Sequence, residues 1–494
     1  MVTKNEACYV GIDLGTTNLK VTVYDGDLGL VARESMPVRY QREGEFVEFD
    51  ADAYVDDLLN LTRDTLRAHG VEAVAQLALT GQAESLVVLG ADGRPLMNAI
   101  SWMDERSTEE CALLEERFPP ARVEAVTGQA AVLPTWPATK ILWLRRHRPD
   151  VYAAAGKYML LKDYVVYRLT GRMCADCSIA TFSLYFDIYE KCYWREMLEA
   201  IGVREEQLPP LVEPCTVAGS LTADVTRRLE IAFGTQVNVG TLDHFAGMIG
   251  TGNARVGTLT LSTGTVMALA AMSAEPAPRN SGIAMHYGFL PDTHVMLPVV
   301  ESGGVSLEWF RNCCMPGVDY ARINEVLLAR GGDSPLIFLP YIAGVNAPEF
   351  DKDAAGAFWG LRQEHDAFDM ARAVMEGVAF TLRKNCDYIA GKGTQLREIL
   401  ATGGGSKSPV WCQLQADITG LPVLVPEERE AACLGAAMIA AVAGARFRDF
   451  AEAAAACVRI AHRYEPHPTP ALQAKYRRFC RIYQALLPRN LDRD

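Results

Sequence analysis

Tyr9-Val-Gly-Ile-Asp13-Leu14 is an apolar run broken only by Asp13, and it turns at Gly15-Thr16-Thr17 into a second run, Leu19-Lys-Val-Thr-Val-Tyr24. A further turn at Asp25-Gly-Asp27 leads to a third strand, so the chain opens as a β-meander whose first tight turn carries glycine and hydroxyls. The same order returns at Val256-Gly-Thr-Leu-Thr-Leu-Ser262-Thr263-Gly264-Thr265-Val-Met267. This is an architectural echo, not a repeat of fixed period. It predicts two similar α/β halves facing across a cleft, residues 1–252 and 253–494, with the boundary near 250–256.

Helical spacing places Val55, Leu58, Leu59 and Leu66 on one face of a helix over 51–68, with Asp50 as its N-cap. A buried strand at 74–79 runs into Thr80-Gly-Gln82-Ala-Glu84-Ser85. Further on, a strand over 396–402 ends in Gly403-Gly404-Gly405, and Ser406 or Ser408 caps a helix to Thr419, stopped by Gly420 and Pro422. The alanine-rich run 431–445 is too short to span a bilayer and reads as a tightly packed buried helix. Beyond 446 the pattern predicts helices folded back on the body.

The 494 residues allow two to four domains, and the net charge of −13 speaks against a general nucleic-acid or anionic-membrane surface. The start, Met-Val-Thr-Lys-Asn-Glu, enters a strand pattern by Cys8, which leaves no secretory signal. Thirteen scattered cysteines fit reduced thiols, and a cytoplasmic location is expected. Cys174-Ala-Asp-Cys177 has CxxC spacing but no second pair or neighbouring His to complete a metal site.

Val239-Gly-Thr-Leu-Asp243-His244-Phe-Ala-Gly-Met-Ile-Gly-Thr-Gly252 sets one carboxylate after a strand and among three phosphate-grade loops, at 15–17, 262–265 and 403–405. That combination points to phosphoryl transfer from a nucleotide to a hydroxyl, with Asp243 as the base. A helix N-cap is the plainer reading of Asp243, and both hold together. Asp13, at a strand end before Gly15, Thr16 and Thr17, is suited to a hydrated Mg²⁺ beside ATP phosphates; an Asx turn is the alternative.

Four further stretches carry a family resemblance: Pro137-Ala-Thr-Lys140-Ile-Leu-Trp143-Leu-Arg-Arg-His147, Leu339-Pro-Tyr-Ile-Ala-Gly344, Gly356-Ala-Phe-Trp-Gly360-Leu361, and Asp369-Met-Ala-Arg-Ala-Val-Met-Glu376-Gly377. With the Gly403–Gly405 loop, they resemble the FGGY carbohydrate kinases over almost the whole chain. Thr135 departs from the first signature. The resemblance implies an α/β fold of two ribonuclease H-like, actin-like ATPase domains, the first on the sugar side and the second on the ATP side. It also implies ATP and Mg²⁺ as cofactors and a small sugar or polyol as acceptor, and homodimers are common among similar proteins.

Carried onto this sequence, the family assigns Asp243 as catalytic base and Asp13 to the metal. Gly15, Thr16, Thr17, Thr263, Gly264 and Thr265 meet phosphates. Gly403, Gly404 and Gly405 pack on adenosine, and Ser408 touches the purine. Gln82, Glu84, Trp102, Asp104 and His244 join Asp243 on the sugar side. Trp102-Met-Asp104-Glu-Arg106 matches the family's Trp-x-Asp-x-Arg element, in which the Trp face packs on the sugar and Asp104 accepts from hydroxyls. The alternative for Asp104 is a structural ion pair with Arg106. Glycerol kinases carry Arg-Glu at 83–84, whereas here Ala83 precedes Glu84, and the Met-His pair usual in xylulose kinases is absent. A ketopentose such as xylulose is the first expectation for the substrate. A polyol or another sugar, of glycerol, erythritol, ribulose or gluconate type, comes next, and a non-catalytic sugar- or ATP-binding regulator on the same fold last.

Overall fold

The computed structural model describes residues 8–129, 131–332, 335–345, 349, 351–427 and 430–486. The N-terminal stretch read as lacking a leader and the last part of the tail lie outside them.

Among the described residues the first half holds a sheet in the order Val217–Ser220, Gln236–Leu242, Val74–Gly81, Cys8–Leu14, Asn18–Tyr24, Leu30–Pro37. The opening meander is antiparallel, and Cys8–Leu14 then pairs in parallel with Val74–Gly81, which pairs in parallel with Gln236–Leu242. The second half repeats this plan. Thr258–Thr263 pairs antiparallel with Met267–Ser273 and in parallel with Glu398–Gly403, which pairs in parallel with Val423–Pro426. Parallel strands covered on both faces read as continuous apolar runs, and each residue of Cys8–Leu14 is buried. The fold is the mixed α/β architecture expected from the sequence.

Helix Ala51–Ala68 starts where its cap lies, Asp50 accepting from the Ala53 N–H at 2.9 Å. Helix Pro409–Thr419 is capped by Ser408, which accepts from the Trp411 N–H, and it ends at the left-handed Gly420. The tail departs from expectation. Besides helices Phe450–Cys457 and Pro470–Ala485 it supplies the strand Ile460–Tyr464, which pairs antiparallel with Val423–Pro426 and extends the second sheet. That strand is exposed along most of its length, so it lacks the alternating pattern that marks a strand in sequence.

The halves are joined by two helices that cross closely. Asp243–Thr251 follows the last strand of the first half, and Ala431–Ala443 packs both on it and on the strand Cys8–Leu14. A Cβ added at Gly435 would lie 1.8 Å from the Ala246 carbonyl oxygen, and one at Gly250 1.9 Å from that of Ala431. The alanine-rich run is therefore a backbone-to-backbone contact, and no described helix is long and apolar enough to cross a membrane.

A smaller sheet, Gln41–Glu43, Phe46–Phe49, Ala99–Ile100, Leu86–Leu89 and Lys157–Leu160, sits beside the first. Helices Thr108–Arg117, Pro137–His147 and Arg195–Ile201 cover it and share its apolar core.

Candidate active site

Asp243 is the first residue of its helix, and the N-cap is Leu242, so the plainer reading of Asp243 as the cap is replaced. What aims it is a bulge one turn earlier. The pairing of Gln236–Leu242 with Val74–Gly81 shifts register between Asn238 and Thr241, and Gly240 occupies the bulge at φ 66° with its α-carbon against the Leu79 carbonyl. Ser178 Oγ then pins the strand end, bonded to Thr241 Oγ1 at 2.8 Å and to the Leu242 N–H at 3.3 Å. The Asp243 side chain stays 34% exposed, and its Oδ1 accepts from the His244 N–H at 2.6 Å and faces His244 Nδ1 at 2.9 Å. The Asp243 carboxylate raises the His244 imidazole above its ordinary range.

Asp13 lines the same cavity of about 260 Å³, together with Asp243, His244, Thr260, Ser262 and Thr402. Its Oδ1 is buried without a hydrogen-bond partner, while Oδ2 lies 3.6 Å from Lys20, which also bonds Glu430 at 2.8 Å. Burial, reinforced by the charge of Asp243, pushes the Asp13 carboxyl up to about 7.

Strand register makes the glycine loops neighbours, since Thr263 pairs with Gly403. Gly403 and Gly405 are glycines for the protein's own packing: Cβ atoms there would lie 2.7 Å from the Thr263 oxygen and the Thr263 Cβ, respectively. Gly404 is the open one, with its nearest neighbour at 3.7 Å. Beside this loop opens a cavity of about 490 Å³, lined by Thr263, Gly264, Thr265, Gly404, Gly405 and Ser408 among others. Apolar Leu307, Ile323, Met375 and Trp411 form much of its wall, and the size suits a nucleoside. Ser408 Oγ, besides capping its helix, donates to Asn324 Oδ1 at 2.5 Å. Asn324, on helix Tyr320–Arg330, carries no sequence signal; only the fold brings it to this wall.

Of the acceptor-side candidates, Trp102 donates from Nε1 to Thr16 Oγ1 at 2.8 Å, which ties the first phosphate-grade turn to the expected sugar face. Gly15 sits in that turn with the Asn18 carbonyl so close that a Cβ would lie 2.6 Å away, and Thr17 stands exposed at its tip. Gln82 accepts from Ser85 Oγ at 2.7 Å and reaches the Gly15 carbonyl at 3.4 Å, so it braces these two loops against each other. Glu84 has the left-handed φ of 68°, rare for a side-chain-bearing residue, and Thr135 Oγ1 lies 3.4 Å from its Oε1. Burial pushes the Glu84 carboxyl up, with Lys140 pulling it partly back.

The Asp104 carboxylate is buried and engaged within the protein. Its side chain is 0% exposed, Oδ2 accepts from the Val47 N–H at 2.6 Å and from Arg106 at 2.7 Å, and Oδ1 accepts from Arg106 Nε at 2.7 Å. The structural ion pair is what forms, and it sets the chain path under Trp102. Cys174 and Cys177 are buried free thiols that burial raises, to about 11 for Cys174, which is the opposite of a reactive thiolate.

The family models for the FGGY carbohydrate kinases match this chain twice, the N-terminal domain over residues 8–250 and the C-terminal domain over 259–444. The chain belongs to the FGGY family of carbohydrate kinases. This kinase is 30% identical to the xylulose kinase of Escherichia coli (strain K12) over 97% of its own length and 99% of that protein. Among solved structures it superposes on a ligand-bound xylulose kinase from Lactobacillus acidophilus with a TM-score of 0.87 at 26% identity, covering 97% of this chain and 98% of that one. A gluconate kinase from the same species fits with a TM-score of 0.87, 26% identity and 98% coverage of both chains.

One more buried titratable group bears on the stability of the kinase. His286 stacks on Phe182 with centroids 4.5 Å apart and lies 3.2 Å from the Gln129 amide, and burial, then the charge of His244, hold its pKa at about 3. A folded pKa below the unfolded 6.5 means that the unfolded chain takes up a proton first as the pH falls, so stability is lost on acidification below 6.5. Between pH 6.5 and about 5 this group should cost about 2 kcal/mol. Denaturant titrations of His286→Gln should show a correspondingly shallower acid limb; an unchanged limb would assign the loss elsewhere.

Proposed function

We propose that this kinase transfers the terminal phosphoryl group of ATP to a primary hydroxyl of a small sugar, with a ketopentose of the xylulose type as first expectation. The observation that carries the reading is the meeting of Asp13 and Asp243 in one cavity with Ser262 and Thr402, which flank the two glycine loops. Phosphoryl transfer asks the protein for in-line placement, charge compensation and a group to take the hydroxyl proton. Asp243 takes that proton. His244, bonded to the same carboxylate oxygen, holds its orientation and borders the acceptor. The Thr16 hydroxyl accepts from Trp102 and so keeps its own proton to donate to a phosphate oxygen, beside Gly15 and Thr17.

Asp13 would hold Mg²⁺: its buried, unpartnered Oδ1 is an acceptor that a cation satisfies, and Asp243 adds a second negative charge beside it. The ion, when bound, would offset charge on the phosphates. The nucleoside lies in the neighbouring cavity against Gly404 and Asn324, whose amide oxygen accepts from Ser408 Oγ. On the acceptor side Glu84 and the Trp102 face bind the sugar. Residues 1–252 and 253–494 act as the two bodies that close on the substrates and exclude water.

The xylulose kinases among the relatives support the ketopentose, and the gluconate kinase keeps a sugar acid as the next acceptor to try. The test is a panel of ketoses, polyols and sugar acids scored by ADP release. A ketopentose should raise the rate well above that with ATP alone. A flat panel overturns the reading, and a response to a sugar acid alone replaces the ketopentose.

A further inference from the structure

The acceptor side depends on three stretches far apart in sequence: 80–85 with Glu84, 101–106 with Trp102, and the loop before helix Pro137–His147 with Thr135. Each gives one backbone carbonyl to the same atom. Lys140 Nζ donates to the Thr135 carbonyl at 2.7 Å, to that of Ser101 at 2.8 Å and to that of Glu84 at 3.4 Å. Its side chain is among the largest fully buried ones, with a residue exposure of 0%. An ammonium has three N–H donors and no acceptor, so three carbonyls use it completely. A neutral apolar side chain of this length would leave those carbonyls unsatisfied.

We propose that Lys140 is a positioning residue for the sugar, a three-way tie that sets Glu84, Trp102 and Thr135 at fixed distances around one acceptor. This rests on the kinase reading given above. Two features of the neighbourhood favour positioning over simple packing. Glu84 holds its left-handed φ of 68° while its own carbonyl is one of the three tied groups, so the tie bears on the one strained residue of the acceptor side. The residues it orders also touch each other or the phosphate-grade turn, through Thr135 to Glu84 and Trp102 to Thr16. Burial lowers the Lys140 ammonium and raises the Glu84 carboxyl, and the charge of each partly offsets the shift of the other.

The experiment compares Lys140→Met and Lys140→Gln with the wild-type enzyme in steady-state kinetics, using the sugar that the panel identifies. Lys140→Met removes all donors at similar volume, and Lys140→Gln restores two. With Met the sugar KM should rise tenfold or more while the ATP KM moves less than about twofold, and Gln should recover part of the sugar KM. Unmoved KM values with a lower melting temperature would make Lys140 a packing residue and overturn the proposal, as would equal rises for sugar and ATP. If Met does not fold, Gln is read in the same way; if neither folds, the tie serves folding and the proposal fails. A wild-type enzyme inactive on every sugar counts against the kinase reading instead, which separates the two failures.

Discussion

Asp243→Asn should lower kcat about a thousandfold while sugar and ATP affinities stay within a fewfold, because a positioned general base contributes about 10²- to 10⁴-fold. The substitution keeps the shape at the head of helix Asp243–Thr251, and an amide oxygen can still accept from the His244 N–H that now bonds Oδ1 at 2.6 Å. What disappears is the capacity to take a proton and a negative charge shared by two neighbours. Asp13 is raised partly by Asp243, so its pKa should fall in the variant; His244 is raised chiefly by Asp243 and should fall as well. NMR titration of the His244 ring reads this second effect without any turnover. Unchanged turnover, or lost binding with a normal chemical step, would remove Asp243 from the role of base.

Gly435→Ala is expected to have the largest effect on stability. The added Cβ would sit 1.8 Å from a backbone oxygen, that of Ala246, so no side-chain rotamer relieves it and helices Asp243–Thr251 and Ala431–Ala443 must separate. Overpacking costs about 1–3 kcal/mol where side chains yield, and a backbone clash at a buried crossing should exceed that. Gly250→Ala, on the other face of the same crossing, should behave alike, its Cβ falling 1.9 Å from the Ala431 oxygen. Gly247→Ala is the internal control: it lies on the same helix with nothing within 4 Å of an added Cβ, and the substitution should be neutral or stabilising by about 0.5–1 kcal/mol. Equal melting temperatures for the Gly435 and Gly247 variants would show that the crossing tolerates separation.

The crossing also shows what a linear reading misses. A run of alanines over 431–445 announces a buried helix, and helix Ala431–Ala443 forms there. The partner carbonyls at Ala246, and Cys433 against Gly11 in the other direction, belong to distant segments whose approach no local pattern encodes. The glycines at 403 and 405 read as room for a ligand, yet Thr263 from the paired strand is what requires them.

The sequence by itself determined the two opening strand–turn–strand patterns, the cap at Asp50, a serine cap at 406 or 408, the placing of Asp243 at a strand's end and, through its signatures, the family. Each of those rests on periodicity, turn chemistry or residue order within a few positions, and interactions of that range are written in neighbouring letters. Only the tertiary structure decided that Asp104 belongs to Arg106 and Val47, that Asn324 borders the nucleoside cavity, and that Lys140 gathers three carbonyls. A buried polar group takes whichever partner the packing brings to it, and that partner is chosen by the fold as a whole.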